Sequence, residues 1–501
     1  MAGTSIPGLP TLSFPTGGQS SAAAQALQAI AARINANTAV VEQLTPGNVP
    51  TPPTGEEGIA AIDSSQTGTY ALTPAYTTAV VGGSGHVTIL GGAGSDQFYA
   101  SATAQIDLTL STGAGTVDAA AGGSTVNVVA GSFVVDVSGG SNTLMLGSGD
   151  NLVVTSTVDA GNGGLALPDA AADTITGGTG SATIAAGGPA LVYAGVGSTL
   201  FFASGGASTI FGSSGAMTVV GGDGTFAVYG GSGDVTAFGS NDDLLVGGSG
   251  MSNTLVGQGD ADTLVAAGGG QTTEFGGSGH ETMWGSAAGG NVTQVGGSGP
   301  DLMLGGAGTT EMFATSGAAT MVGLVGQNIM VGGTTSDVMV GVGGANTVFG
   351  GAAADVVVGT TGQDLWVGGQ GDDQFWAGSG HTTIFAGTAD DFIATGSGQT
   401  TALLGSGSGT VLVQSGAATV YGGSGPDTYS FQDGSAGGSV QIHGFKLGQD
   451  FLTLQDYGPT EPNQALAGAT SDGQGGTTLT LSDGTSIDLI GVINPTHALF
   501  S

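Results

Sequence analysis

Gly368-Gly369-Gln370-Gly371-Asp372-Asp373, with Gln374-Phe375-Trp376 after it, is one copy of a unit that recurs every nine residues from Asp301 to Asp427. Gly296-Gly297-Ser298-Gly299-Pro300-Asp301 and Gly422-Gly423-Ser424-Gly425-Pro426-Asp427 are equally clear copies. In steps of nine from Asp301, the same slot holds Asp337, Asn346, Asp355, Asp364, Asp373 and Asp391 before Asp427. Two residues beyond that slot stand Met303, Met312, Met321, Met330, Met339, Val348, Val357, Trp366, Phe375, Ile384 and Ile393. One apolar side chain per repeat predicts a buried column. Self-similarity at a fixed period marks a solenoid, in which each repeat buries its apolar face against its neighbours.

Composition narrows the class. Of 501 residues, 103 are Gly, yet no three-residue period runs through them, which excludes collagen. The absence of Cys removes disulfides and thiolate metal sites. No apolar stretch approaches the ~18 residues that a membrane-spanning helix needs, so no membrane insertion is expected. Two basic residues, Arg33 and Lys446, face 37 acidic ones, for a formal net charge of −35. Nucleic acid and anionic membrane are therefore poor partners, because binding phosphate depends on Lys and Arg.

The glycines of G-G-x-G-x-D-x-U-x permit tight turns. They bring backbone carbonyls together, and the Asp adds a hard anionic oxygen. Such a loop suits Ca2+, which takes six to eight oxygen ligands. The x-U-x run reads as a short strand with its middle side chain inward. Two nonapeptides per coil place residues eighteen apart on the same edge of a parallel β-roll. One edge then reads Asp301, Ala319, Asp337, Asp355, Asp373, Asp391, Gly409, Asp427, and the other Thr310, Asn328, Asn346, Asp364, Thr382, Thr400, Ala418. An ion between stacked turns needs carboxylates from both, so the pairs among Asp337, Asp355, Asp373 and Asp391 are the leading metal candidates. Asp301, Asp427 and Asp364 follow. The fourth glycine is missing before Asp337 and Asp355, so turns kept for structure alone are the plainer alternative.

These motifs resemble the RTX (repeat-in-toxin) proteins, the hemolysin-type calcium-binding repeat family exported by type I secretion. Gly91-Gly92-Ala93-Gly94-Ser95-Asp96 is a further strong copy and Gly257-Gln258-Gly259-Asp260-Ala261-Asp262 a looser one, which adds Asp96 and Asp262 to the metal candidates. Between about 100 and 240 the Asp slots are mostly lost. Val440-Gln441-Ile442-His443-Gly444-Phe445 and the strand-like runs after it look like the C-terminal targeting module of type I secreted proteins. The resemblance implies the type I secretion machinery as a partner, and a start at Met1-Ala2-Gly3 without an N-terminal signal. From alternation alone, the same region reads as several antiparallel strands with Asp483-Gly484 as a hairpin turn, capping the roll's open end.

The expected organisation is all-β, a parallel β-solenoid with an N-terminal helix and a C-terminal antiparallel β cap. Residues 1–19 read as a flexible segment, 20–45 as a helix, 46–69 as a Pro-rich linker, and 70–295 as a degenerate solenoid. Residues 296–431 read as the regular roll and 432–501 as the cap and secretion module. In the helix, Leu27, Ile30, Ile34, Asn37, Val41 and Leu44 follow a 3-4-3-4-3 spacing. They fit either a helix folded over the first coils or a contact between molecules.

No catalytic constellation is visible. His86, His280, His381, His443 and His497 are scattered, and no H-E-x-x-H or nucleophile-elbow motif occurs. A non-enzymatic protein is expected. Strand residues flanking the inward column are also apolar, as at Val338 and Val340, Val356 and Val358, Leu365 and Val367, with Phe349, Trp376 and Phe385 further along. A large apolar face marks a contact surface. This predicts self-association into an extracellular filament, surface layer or matrix. A non-polymerising calcium-dependent adhesin and an intracellular filament are the alternatives.

Overall fold

A computed structural model describes residues 3–5, 13–15, 21–101, 103–119, 122–155, 157–158, 166–167, 171–435 and 437–501. It divides into two compact units, Met1–Leu255 and Val256–Ser501. Each is built from parallel strands whose partners lie one coil earlier and one coil later, and each has two such sheets face to face. This is the predicted parallel β-solenoid, with a short N-terminal helix and antiparallel strands at the C-terminus.

In the first unit the helix is Ser21–Asn35, ten residues short of the expected end at 45. Asn37 adopts φ +54°, and the N–H groups of Asn37 and Thr38 return to the carbonyls of Ile34 and Arg33. That is a Schellman stop with a left-handed Asn. The β-branched run after it becomes the strand Ala39–Gln43, parallel to Glu57–Asp63. Ile30 and Ile34 from the helix and Val41 from the strand meet in one cluster with Ile59, Ala61, Val80 and Tyr99. The helix therefore folds over the first coils, while part of its apparent seam belongs to a strand. Arg33 pins it by a 3.0 Å ion pair to Glu57.

The expected linker 46–69 contains Glu57–Asp63, which pairs on both sides. Its buried Ile59-Ala60-Ala61-Ile62 carries the coil that the neighbouring prolines disguise. The flexible segment expected over 1–19 falls outside the described residues, apart from the antiparallel pair Gly3–Ser5 and Ser13–Pro15.

In the second unit, strands beginning at or next to the acidic slots form one sheet, here the acidic-edge sheet. Val338–Gly341, Val356–Gly359 and Gln374–Trp376 are examples. Gln327–Val331, Ala345–Phe349 and Gln363–Val367 belong to the facing amide-edge sheet. The register is eighteen residues throughout this stretch: Asn328 lies beside Asn346, Met339 beside Val357, Phe375 beside Ile393. The predicted column from Met303 to Ile393 is the core, with no member more than 1 % exposed.

The C-terminal region corrects one expectation. Ser439–His443 and Phe451–Gln455 pair parallel and continue the two sheets. Antiparallel pairing is confined to Thr477–Thr480 with its neighbours Thr470–Ser471 and Ser486–Ile490. Alternation of apolar and polar residues defines a strand's faces but not its direction, so these strands looked alike in sequence. The turn at Asp483-Gly484 is present, with Gly484 at φ +90°.

Candidate calcium-binding ladder

The acidic slots stack one above another. Asp355 accepts the Asp337 N–H on Oδ1 at 2.8 Å and the Gly351 N–H on Oδ2 at 2.9 Å. Asp373 takes the N–H groups of Asp355 and Gly369, and Asp391 those of Asp373 and Gly387, all at 2.9 Å. Asp337 does the same for Ala319 and Gly333, and Asp427 for Gly409 and Gly423. Each carboxylate thus ties its own turn to the coil before it. One oxygen meets a buried backbone donor and the other a part-buried turn donor; orphaning a buried donor costs about 1–3 kcal/mol.

Asp301 continues the ladder, accepting from Glu281 N at 3.2 Å and Gly297 N at 2.7 Å. Asp262 takes the Gln258 and Gly259 amides. Asp364 lies on the opposite edge, where its Oδ1 accepts both the backbone N–H and the side-chain amide of Asn346. The Asn346 Oδ1 in turn accepts the Asn328 amide at 2.9 Å. These asparagines do not adopt the left-handed conformation; they form a neutral amide ladder. Asp96 is the exception. Its motif, expected as a turn, runs into the strand Ala93–Ala100, and its buried Oδ2 has no hydrogen-bond partner.

Several ladder members escaped the nine-residue count. Asp450 accepts from Asp427 N and Lys446 N, twenty-three residues beyond Asp427. In the first unit Asp243 binds the N–H groups of Phe226 and Ser240, Asp173 that of Asn142, and Asn151 that of Phe133. Glu281 stands in the slot between Asp262 and Asp301, where the spacing drifts to nineteen and twenty. Neither of its buried oxygens makes a hydrogen bond of ordinary geometry, although Asp301 and the Gly277 and Gly279 amides are close enough to shift its pKa. Burial first, then Asp301, pushes that carboxyl up to about 7. A signal was available: a G-G-S-G-x-(D/E) turn read without insisting on nine.

The turns need glycine because successive coils touch through their backbones. A Cβ on Gly351 would lie 2.0 Å from the Gly333 carbonyl oxygen, and one on Gly369 1.8 Å from that of Gly351. Carbonyl oxygens and carboxylates therefore crowd one edge of a chain with almost no basic side chain. Among the described residues, no three His, Asp or Glu side chains converge on one point. A cation there would draw most of its six to eight oxygens from turn carbonyls. The donor set is all oxygen and anionic, which fits calcium and excludes thiolate-seeking metals.

Burial raises the Asp373 carboxyl to about 6, and raises Asp337, Asp391 and Asp427 in the same sense. A carboxyl whose pKa is higher folded than unfolded (~3.9) contributes stability below the unfolded value, and loses it as the pH rises through the folded one. In chelator, the melting temperature should therefore fall as the pH is raised from about 4 to 6. With calcium present the trend should flatten or reverse, because protons and the ion compete. Thermal scans across that window check both arms.

Compared with known families, the chain matches the RTX calcium-binding nonapeptide repeat in four copies, over residues 79–102, 193–225, 331–365 and 367–402. The last two hold Asp337, Asp355, Asp364, Asp373 and Asp391, and the first holds Asp96. The curated proteins offer no match. The chain therefore carries RTX calcium-binding repeats on a β-roll.

Proposed function

We propose that this chain is a secreted, non-enzymatic structural protein whose acidic edge binds calcium and whose copies associate side by side. The observation that carries this reading is the uninterrupted stack of buried carboxylates from Asp337 to Asp391, one per coil. The one basic side chain on this edge among the described residues, Lys446, lies further along at the turn before Asp427. Asp337, Asp355, Asp373 and Asp391, with Asp301 and Asp427 at the flanks, would hold the ion together with turn carbonyls. Asp364, Asp96 and Asp262 are secondary positions. Calcium, when bound, supplies the positive charge that this edge lacks. The chain's own part is to stack the carboxylates in register and hold water away from them.

Export by a type I machinery suits such a ladder. Without calcium the acids repel one another and favour an extensible chain; millimolar calcium outside then favours the folded roll. The scattered histidines support a role without catalysis.

For association, the outer side of the acidic-edge sheet is largely apolar, with Leu304, Val322, Val340, Val358 and Trp376 in one column and Val338 and Val356, between Thr320 and Gln374, in the next. Neither column carries an acid over this stretch. On a molecule of net charge −35, a neutral apolar face is where two copies can approach without repulsion. Sedimentation velocity and negative-stain microscopy in millimolar calcium should show side-by-side assemblies, and V338D/V340D should return them to monomers while keeping the calcium response. Monodisperse particles at every protein and calcium concentration would sink the association.

A further inference from the structure

We infer that the outer face of the amide-edge sheet in the second unit, with the polar trough beside it, binds a neutral, extended polysaccharide of β-linked hexoses. This goes beyond the calcium and assembly reading and uses the opposite sheet. Along each of its strands, three side chains point outward. The first column carries Gln327, Gln363 and Gln399, and the last carries Phe313, Phe349, Phe385 and Tyr421. Thr347, Thr383, Thr401 and Thr419 stand between them, in a column that also holds Glu311, Ile329 and Leu365. Both outer sets recur every thirty-six residues, on alternate coils: Gln with Val or Leu in one coil, the aromatic ring in the next.

Two coils of a β-solenoid advance about 9.6 Å, twice the strand spacing. That is close to the disaccharide repeat of an extended β-linked hexose chain. Packing alone does not demand the alternation. In the first unit Tyr193, Phe211 and Tyr229 stand on successive coils of one sheet, with ring centroids 5.4 and 5.2 Å apart. Rings on every coil are therefore compatible with this fold. The larger period in the second unit is a separate choice, and a ligand repeating every two coils accounts for it.

Beside the Gln column, the trough widens into shallow, open depressions of about 510 Å³ at Asn291, Thr309, Gln327 and Ala345, and about 630 Å³ at His381, Gln399, Ala417 and Ser439. Gly, Ala307 and Val325 line the rest of the first and Ser and Gly the rest of the second, and His381 is the sole ionisable lining residue of the two. In a chain of net charge −35, this is a neutral strip from Gln327 to Tyr421, with Glu311 beside Phe313 marking its end. A polyanion is repelled by the surroundings, and a polycation is drawn instead to the acidic edge. An uncharged polymer matches the strip in charge, with hydroxyls for the amides and threonines. Its apolar C–H faces can lie on the rings, and Phe349 and Phe385 are 40 % and 41 % exposed.

The test is depletion of the full-length, calcium-loaded protein from solution by suspended cellulose or chitin, with soluble alginate as the polyanionic comparison. Retention on at least one of the two neutral polymers is expected, with none competed by alginate. F349S/F385S should lower retention tenfold or more and Q363A about threefold, whereas F211S in the first unit should leave it unchanged. These side chains are exposed, so circular dichroism should remain that of the parent. Failure of the parent to bind either neutral polymer overturns the proposal, as does binding by both F349S/F385S and Q363A at the parent level. V338D/V340D separates the two readings, because it targets association and should retain polysaccharide binding.

Discussion

Asp355→Ala should be among the most destabilising single changes in the second unit, even with calcium absent. It removes the acceptor for the buried Asp337 N–H and the part-buried Gly351 N–H together, where a fully buried donor is worth about 1–3 kcal/mol and a half-exposed one can turn to water. A loss of about 1–4 kcal/mol is therefore expected. Asp355→Asn retains one carbonyl oxygen but turns an N–H₂ toward one of the two amides, so about half of that loss is expected. Chemical unfolding in EGTA reads the difference directly. Were Asp355→Ala to unfold with the parent in chelator and differ only in calcium, the carboxylate would be a ligand and not a structural bracket. Asp372, next in the chain to Asp373, is the useful comparison. It lies exposed and, among the described residues, accepts Asp390 N–H alone, at 3.1 Å, so Asp372→Ala should stay within about 0.5 kcal/mol of the parent.

Gly405→Ala should cost still more, about 4 kcal/mol or above, the range reserved for gross steric conflict. An added Cβ would lie 1.5 Å from the Gly387 carbonyl oxygen and 2.7 Å from its carbon, against ~3.5 Å for comfortable contact. Neither atom can turn aside, because both belong to the backbone of the coil below. Relief requires the coils to part, which breaks the strand pairing on either side. Gly343→Ala is the matched control: its nearest neighbour is the Thr361 hydroxyl at 3.9 Å and its φ is negative. It should be neutral or slightly stabilising. Differential scanning calorimetry of the two variants checks the contrast, and equal melting temperatures would refute the close-stacking account.

The nine-residue count exposed the core because burial is absolute at those positions. Met339, Trp366 and Ile393 have no freedom to drift, so the period survives in the residue types themselves. It failed where the acceptor, not the period, was kept. Asp450, Asp243 and Asp173 perform the same bracketing at intervals of twenty-three, seventeen and thirty-one residues from their partners. Loops of differing length between coils leave the stack intact while destroying the count. The helix shows the converse error. Its 3-4 spacing continued into Val41 and Leu44, but a left-handed Asn37 ended it.

From the sequence alone came the solenoid, its eighteen-residue register and the concentration of acids on one edge, since each follows from which residue types recur at which interval. Tertiary structure decided what those acids do in the folded chain and which outward columns form continuous faces. Recurrence reveals that a position is constrained. Only the neighbouring coil reveals by what, because the partner of each carboxylate is a backbone amide, and every residue but proline supplies one.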